Sequence, residues 1–169
     1  MESMMGTFMS QEKVDRFYDK VSRKIEGWDE SVGRYREKYD LLARLPVSQI
    51  IHLVKMAPTV LHLLISLLNH EDISPRTKRI LGGVIAYFVS PIDLIPEGIV
   101  GPIGYVDDVL VAMVFIDRLL NGDNAREQEI IAELWRGTTD ELAALRALVQ
   151  MGDVLRYLEK SLRKIFPGM

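Results

Sequence analysis

The chain of 169 residues contains no cysteine. This absence excludes disulfide bonds, thiolate metal sites and cysteine nucleophiles, so the fold must be stable without covalent cross-links. A basic excess is also missing, because the net charge is -3. Nucleic-acid-binding domains carry a strongly basic surface. We therefore expect no nucleic-acid partner.

Familiar enzyme motifs are absent as well. The stretch "GGVIAY" at 82–87 does not match a dinucleotide-binding fingerprint and falls inside a predicted helix, where its glycines would let another backbone come close. No P-loop or nucleophile elbow is present. The three histidines, His52, His62 and His70, lack the i, i+4 spacing of a helical zinc site. The sequence therefore favours a protein without catalytic activity.

Membrane-spanning and export signals are weak. The first 17 residues, "MESMMGTFMSQEKVDRF", do not resemble a secretory signal. Residues 47–69 are long and apolar enough to span a bilayer, but Lys55 and Pro58 lie near the middle of this segment, which favours a buried core helix. We predict a cytoplasmic protein, either free or peripheral at the inner face of the membrane.

Apolar residues recur every three or four positions along the chain, which is typical of amphipathic helices. We predict an all-α fold, with residues 1–169 forming a single domain that is a compact bundle of about six helices around a central buried helical hairpin. The expected helices span residues 11–44, 47–69, 75–89, 106–120, 125–137 and 138–166. The first helix is long and amphipathic, so it either covers the bundle or pairs in a homodimer.

Four carboxylates interrupt very apolar sequence in "SPIDLIPEGIVGPIGYVDD", residues 90–108. They are Asp93, Glu97, Asp107 and Asp108. One interpretation is structural: acids at helix N-termini cap free N–H groups, with Asp107 capping a helix that begins at 108. A second is a site for Mg²⁺ or Ca²⁺, which prefer oxygen ligands and would support metal-assisted hydrolysis. A third is an anionic patch that faces a partner.

The segment "AYFVSPIDLIPEGIVGPIGYVDDVLVAMVF" resembles the signature of the YkvA-like family, a small bacterial domain of unknown function. The resemblance covers roughly residues 75–120. It rests on Ser90, Pro91, Asp93, Pro96, Glu97, Gly104, Asp107 and Asp108. It implies a helical hairpin that is often associated with membranes, and it implies no established activity.

Basic residues cluster near the end of the last predicted helix, at Arg156, Lys160, Arg163 and Lys164. One interpretation is a favourable interaction with the helix dipole. The other is contact with an anionic membrane surface or a protein partner, in which apolar residues of the same helix take part. Those apolar residues are Leu155, Leu158, Leu162, Ile165 and Phe166. We therefore predict a non-enzymatic interaction or scaffold protein, with a divalent-metal-binding protein or metal-dependent hydrolase as the alternative.

Overall fold

The predicted all-α fold is confirmed. A computed structural model describes residues 39–89 and 104–165, together with the single positions 12, 16, 19 and 36. Within these residues all regular secondary structure is helical. Seven helices are described: α1 (Asp40–Ala43), α2 (Val47–Asn69), α3 (Pro75–Val89), α4 (Tyr105–Leu120), α5 (Ala125–Leu134), α6 (Thr139–Gln150) and α7 (Gly152–Ile165).

The helices α2 and α4 form the centre of the bundle. Helix α4 packs against α2, α3, α5, α6 and α7, and α2 also packs against α3 and α5. Every residue from Val106 to Ile116 is buried, because α4 is enclosed by neighbours on all sides. Helix α2 is the one described helix long and apolar enough to cross a membrane, yet 72% of its most apolar stretch is buried inside the protein. It therefore packs as a core helix.

The predicted helix over residues 11–44 is not continuous. Tyr39 is extended, with φ -120° and ψ 121°, and only the short α1 follows it. Leu41, Leu42 and Leu45 are all fully buried, so burial of this leucine cluster overrides the helical periodicity of the sequence. The Arg36 Nε group donates a hydrogen bond of 2.8 Å to the Leu45 carbonyl. Most of the predicted helix lies outside the described residues, and its pairing in a homodimer stays a prediction.

The predicted helix over residues 138–166 is divided in two. It starts with the expected capping box of Thr138 and Glu141, but Met151 is extended, with ψ 122°, and a new helix begins at Gly152. The apolar stripe of α6 ends at Val149 and that of α7 begins at Val154. A step of five residues would rotate the second stripe away from the core in a straight helix, so the break brings both stripes onto it.

Candidate functional site

Two adjacent carboxylates lie in the centre of the bundle, at the start of α4. Asp107 and Asp108 belong to the first turn of this helix, and both are fully buried. The helix begins at Tyr105 with Gly104 as the N-cap, so the expectation that Asp107 caps a helix starting at 108 is wrong. The N-terminal end of a helix carries a positive partial charge, which favours negative side chains in the first turn. The two acids therefore interact favourably with the positive end of the α4 dipole, although neither of them is the N-cap.

A hydrogen bond connects this turn to α3. The Tyr87 hydroxyl donates to Asp107 Oδ2 over 2.7 Å, and Tyr87 is itself only 2% exposed. A short hydrogen bond to a carboxylate in a buried environment is stronger than a neutral one. The bond thus fixes α3 against α4 next to the two acids, and nothing in the sequence pattern had singled out Tyr87.

The remaining candidates for a metal site, Asp93 and Glu97, lie outside the described residues. In the part of the chain that the structure describes, no group of three or more histidine, aspartate or glutamate side chains is arranged to hold a metal ion. Of the four predicted ligands, the structure therefore places Asp107 and Asp108 alone. Whether the four carboxylates converge stays a prediction.

The histidines of α2 and its C-terminal end serve separate local roles. His62 is buried, with its Nε2 atom 3.5 Å from the Ser66 hydroxyl. The His70 Nδ1 atom accepts a hydrogen bond of 3.2 Å from the Asp72 backbone N–H. His52 is half-buried.

A third buried acid, which sequence reasoning missed, joins α5 to the start of α3. Glu127 is 4% exposed, and its Oε1 atom accepts the Ser74 backbone N–H over 3.1 Å. Its Oε2 atom accepts the Thr77 hydroxyl over 3.2 Å, while Asn124 caps α5 by accepting the Glu127 N–H. The carboxylate therefore occupies the N-terminal end of α3 as an internal anion. An N-cap asparagine followed three residues later by glutamate was the available signal.

An exposed ion pair lies beside this junction. The Arg126 guanidinium donates to Asp72 Oδ2 over 2.8 Å. The hydrogen bond from Arg126 holds the pKa of Asp72 below its ordinary value, and the same bond raises the pKa of Arg126.

The basic residues of α7 are exposed wherever the structure describes their side chains. Arg156, Lys160 and Arg163 follow one another at steps of four and three residues and all point to solvent, whereas the side chain of Lys164 lies outside the description. Of the apolar residues expected to touch a membrane, Leu158 and Leu162 are buried in the core and Leu155 is half-buried. The side chains of Ile165 and Phe166 lie outside the described residues. Among the residues of α7 whose side chains are described, the outward face is therefore basic and carries no large exposed hydrophobic side chain.

The comparisons with known proteins give a family without an assigned activity. Residues 77–114 match a family described as "Protein of unknown function (DUF1232)", in the same part of the chain that carries the sequence resemblance. That description contains neither an activity nor the YkvA-like name, so the latter assignment stays a prediction. No solved structure matches the chain significantly.

One curated relative is an uncharacterised protein, ORF9, from Methanothermobacter thermautotrophicus. It is 26% identical over 110 residues, which make up 65% of this chain and 66% of the relative. The chain therefore matches just under two thirds of that relative's length. The similarity extends well beyond the 38 residues from 77 to 114.

Proposed function

We propose that the protein is a non-enzymatic helical interaction protein that contacts an anionic membrane surface through the basic face of α7. The observation that carries this proposal is the division of α7 into two faces. Val154, Leu158 and Leu162 bury the inner face in the bundle, while Arg156, Lys160 and Arg163 remain exposed on the outer one.

The acids of α7 neutralise only one of the three exposed basic residues of this face. Asp153 is paired with Arg156 at 2.9 Å, and Glu159 is paired with Arg118 of α4 at 3.6 Å. Neither Lys160 nor Arg163 forms an ion pair with any other residue of the described ranges. Two cations at the C-terminal half of α7 are therefore available to lipid phosphates, in a chain whose net charge is negative.

This contact is electrostatic, because the described surface offers little apolar area for insertion. Among the described residues, Ile80 and Met151 are the large hydrophobic side chains that are more than one third exposed. Each lysine or arginine near an anionic leaflet contributes roughly 1 kcal/mol, and the attraction falls off within a Debye length of about 8 Å at physiological salt. The proposed binding is thus weak, reversible and sensitive to salt.

The experiment is sedimentation of the purified full chain with vesicles of phosphatidylcholine alone or mixed with phosphatidylglycerol. We expect binding to the anionic vesicles only, with loss of binding as salt is raised. The double variant Lys160→Gln, Arg163→Gln should bind about 10- to 30-fold more weakly, since roughly 2 kcal/mol of attraction is removed.

A matched control removes the same charge elsewhere. Lys55 and Arg136 are exposed, and neither forms an ion pair with another residue of the described ranges. The double variant Lys55→Gln, Arg136→Gln should therefore bind like the wild type. Equal losses in both variants would point to net charge instead of this face, and equal binding to neutral vesicles would rule the proposal out.

A divalent-cation site at Asp93, Glu97, Asp107 and Asp108 is the less favoured function. Both acids lie in the first turn of α4, where the helix dipole favours negative side chains, and Asp107 also accepts a hydrogen bond from Tyr87. A ligand that binds only the folded state stabilises that state. A divalent-cation site would therefore be supported if Mg²⁺, Ca²⁺ or Mn²⁺ raised the melting temperature of the wild type but not of the variant Asp107→Asn, Asp108→Asn.

A further inference from the structure

The outward face of α3 is exposed, and it is basic near the start of the helix and apolar further along. Arg76, Arg79, Ile80, Gly83 and Ala86 all point away from the core and share one side of the helix. Ile80 is 38% exposed, which is unusual for a large aliphatic side chain on a helix whose other face is well packed. From Ile80 to Ala86 this face carries no polar side chain.

The two arginines are not placed to stabilise α3 itself. Both lie in the N-terminal part of the helix, where the positive end of the helix dipole disfavours cations. Neither pairs with a carboxylate elsewhere in the described chain. In contrast, several other arginines of the bundle have carboxylate partners: Arg118, Arg126, Arg146 and Arg156. Within the described residues, no carboxylate therefore compensates the charges of Arg76 and Arg79.

The middle of the same helix contains two glycines that the described part of the bundle does not require. Among the described residues, a Cβ atom built on Gly82 or Gly83 meets nothing within 4 Å, so no described helix makes the close approach that the sequence predicted at these glycines. Glycine inside a helix is less stable than alanine. The open space at Gly83 would instead let a backbone from outside approach this face.

We propose that this face is the interface of a homodimer, in which the α3 helices of two copies pack antiparallel about a two-fold axis near Gly83. In this arrangement Ile80 lies opposite Ala86 of the second copy, so the apolar surfaces cover each other. Arg76 and Arg79 lie near the C-terminal end of the second α3, whose carbonyl groups carry a negative partial charge. Both ends of the helix pair are therefore complementary in charge.

A second copy fits this face because the face is self-complementary. A two-fold axis near Gly83 sets the apolar stretch from Ile80 to Ala86 against the same stretch of the second copy, as an isologous interface requires. The interface involves one helix from each copy, and small interfaces below about 1,200 Å² are typical of weak association. We therefore expect a dimer whose population depends on concentration.

The first test is sedimentation equilibrium of the full chain from about 1 μM to 1 mM, the range in which weak complexes form. We expect the mass to rise from 19.3 kDa towards twice that value. The variant Gly83→Gln should stay at the monomer mass throughout, because its side chain prevents close approach. In dilute solution its melting temperature should rise by about 2 °C, since glutamine is a better helix former in open space.

The matched control is Ala132→Gln, which places the same side chain on the exposed face of α5. This variant should form the dimer as the wild type does. A second readout uses the natural lack of cysteine: under mild oxidation the variant Gly83→Cys should form a covalent dimer, because the two Cα atoms would lie within the 4.4–6.8 Å that a disulfide spans. The variant Ala132→Cys should remain monomeric.

Each other outcome contradicts the proposal. A wild-type mass that stays at 19.3 kDa over the whole range excludes the dimer. If Gly83→Gln still dimerises, or if both cysteine variants cross-link equally, the two copies associate through another surface. The predicted helix over 11–44 is then the next candidate. A lower melting temperature of Gly83→Gln would show that the space at Gly83 is filled within one copy.

Discussion

At the scale of single residues, the hydrogen bond between Tyr87 and Asp107 permits a direct test of the buried carboxylate pair. The variant Tyr87→Phe keeps the ring in the core and removes the hydroxyl that donates to Asp107 Oδ2 over 2.7 Å. We expect the free energy of unfolding to fall by about 1–3 kcal/mol, because a buried acceptor loses its hydrogen-bond donor. Urea denaturation measures this change.

The control is Tyr157→Phe, at a half-buried tyrosine of α7. Its ring lies 5.5 Å from the guanidinium carbon of Arg44, and phenylalanine retains that contact. We expect a change of less than about 0.5 kcal/mol. If the free energy of unfolding fell by similar amounts in both variants, the loss in Tyr87→Phe would not be due to the hydrogen bond with Asp107.

The ion pair of Asp72 and Arg126 predicts that the stability of the fold decreases as the pH falls below the ordinary pKa of aspartate. The hydrogen bond from Arg126 lowers the pKa of Asp72 in the folded state, so the pair stabilises the fold above the unfolded pKa near 4. That contribution is lost as the pH falls through the lowered folded pKa. In the variant Arg126→Gln the pKa of Asp72 should rise, which an NMR titration of its carboxyl carbon would show. An unchanged pKa would contradict the assigned cause.

At the scale of helices, Glu127 fixes α5 against the start of α3. The variant Glu127→Gln retains the shape of the side chain but replaces one carboxylate oxygen with an NH2 group, which cannot accept a hydrogen bond. The bond from either Ser74 or Thr77 is therefore lost. We expect a loss of about 1–3 kcal/mol in the free energy of unfolding, because these hydrogen bonds involve a charged acceptor in a buried place. The exposed Glu133→Gln should change it by less than about 0.5 kcal/mol.

A double variant separates this junction from a general effect on α5. If Thr77 and Glu127 act through their shared hydrogen bond, the loss in Thr77→Val combined with Glu127→Gln should be smaller than the sum of the single losses. Strict additivity would show that the two side chains act independently.

Two glycines in helix-associated positions should respond to alanine in opposite directions. At Gly137 a Cβ atom would lie 2.7 Å from Trp135 Cζ2 and 2.8 Å from Glu141 Oε2, which disturbs the capping box of α6. We expect Gly137→Ala to destabilise the protein by about 1–3 kcal/mol. Gly82→Ala should stabilise it by about 0.5–1 kcal/mol, because its surroundings are open and alanine favours the helix. Thermal unfolding of both variants under the same conditions decides the signs.

At the scale of the whole molecule, the burial of α2 predicts which treatments would release the protein from a membrane surface. Since 72% of the apolar stretch of α2 is covered by the protein itself, we expect high salt or alkaline carbonate to release membrane-bound protein without detergent. A spanning helix would resist both treatments, because its apolar surface would be in contact with lipid. Resistance to carbonate would therefore contradict a peripheral location.

The core helices were the most predictable part of the fold. The segments at 47–69, 75–89 and about 106–120 follow from dense apolar sequence with clear starts, such as Ser74 followed by Pro75. The break at Tyr39 could not be predicted, because no proline or glycine marks it. At the break after Met151, Gly152 was an available signal that the helical periodicity outweighed. The break at Met151 arises where the apolar stripes of α6 and α7 must both reach the core.

The site divides in the same way between what sequence determines and what the tertiary structure decides. Residue types and spacing determine the helices, the adjacent acids at 107 and 108 and the basic stripe of α7, because these features depend on neighbours along one helix. Only the tertiary structure decides that Tyr87 meets Asp107 and that Glu127 meets Ser74 and Thr77. It also decides that Leu158 and Leu162 face the core instead of a membrane. Contacts between separate helices depend on how those helices pack, and this packing is a property of the whole chain.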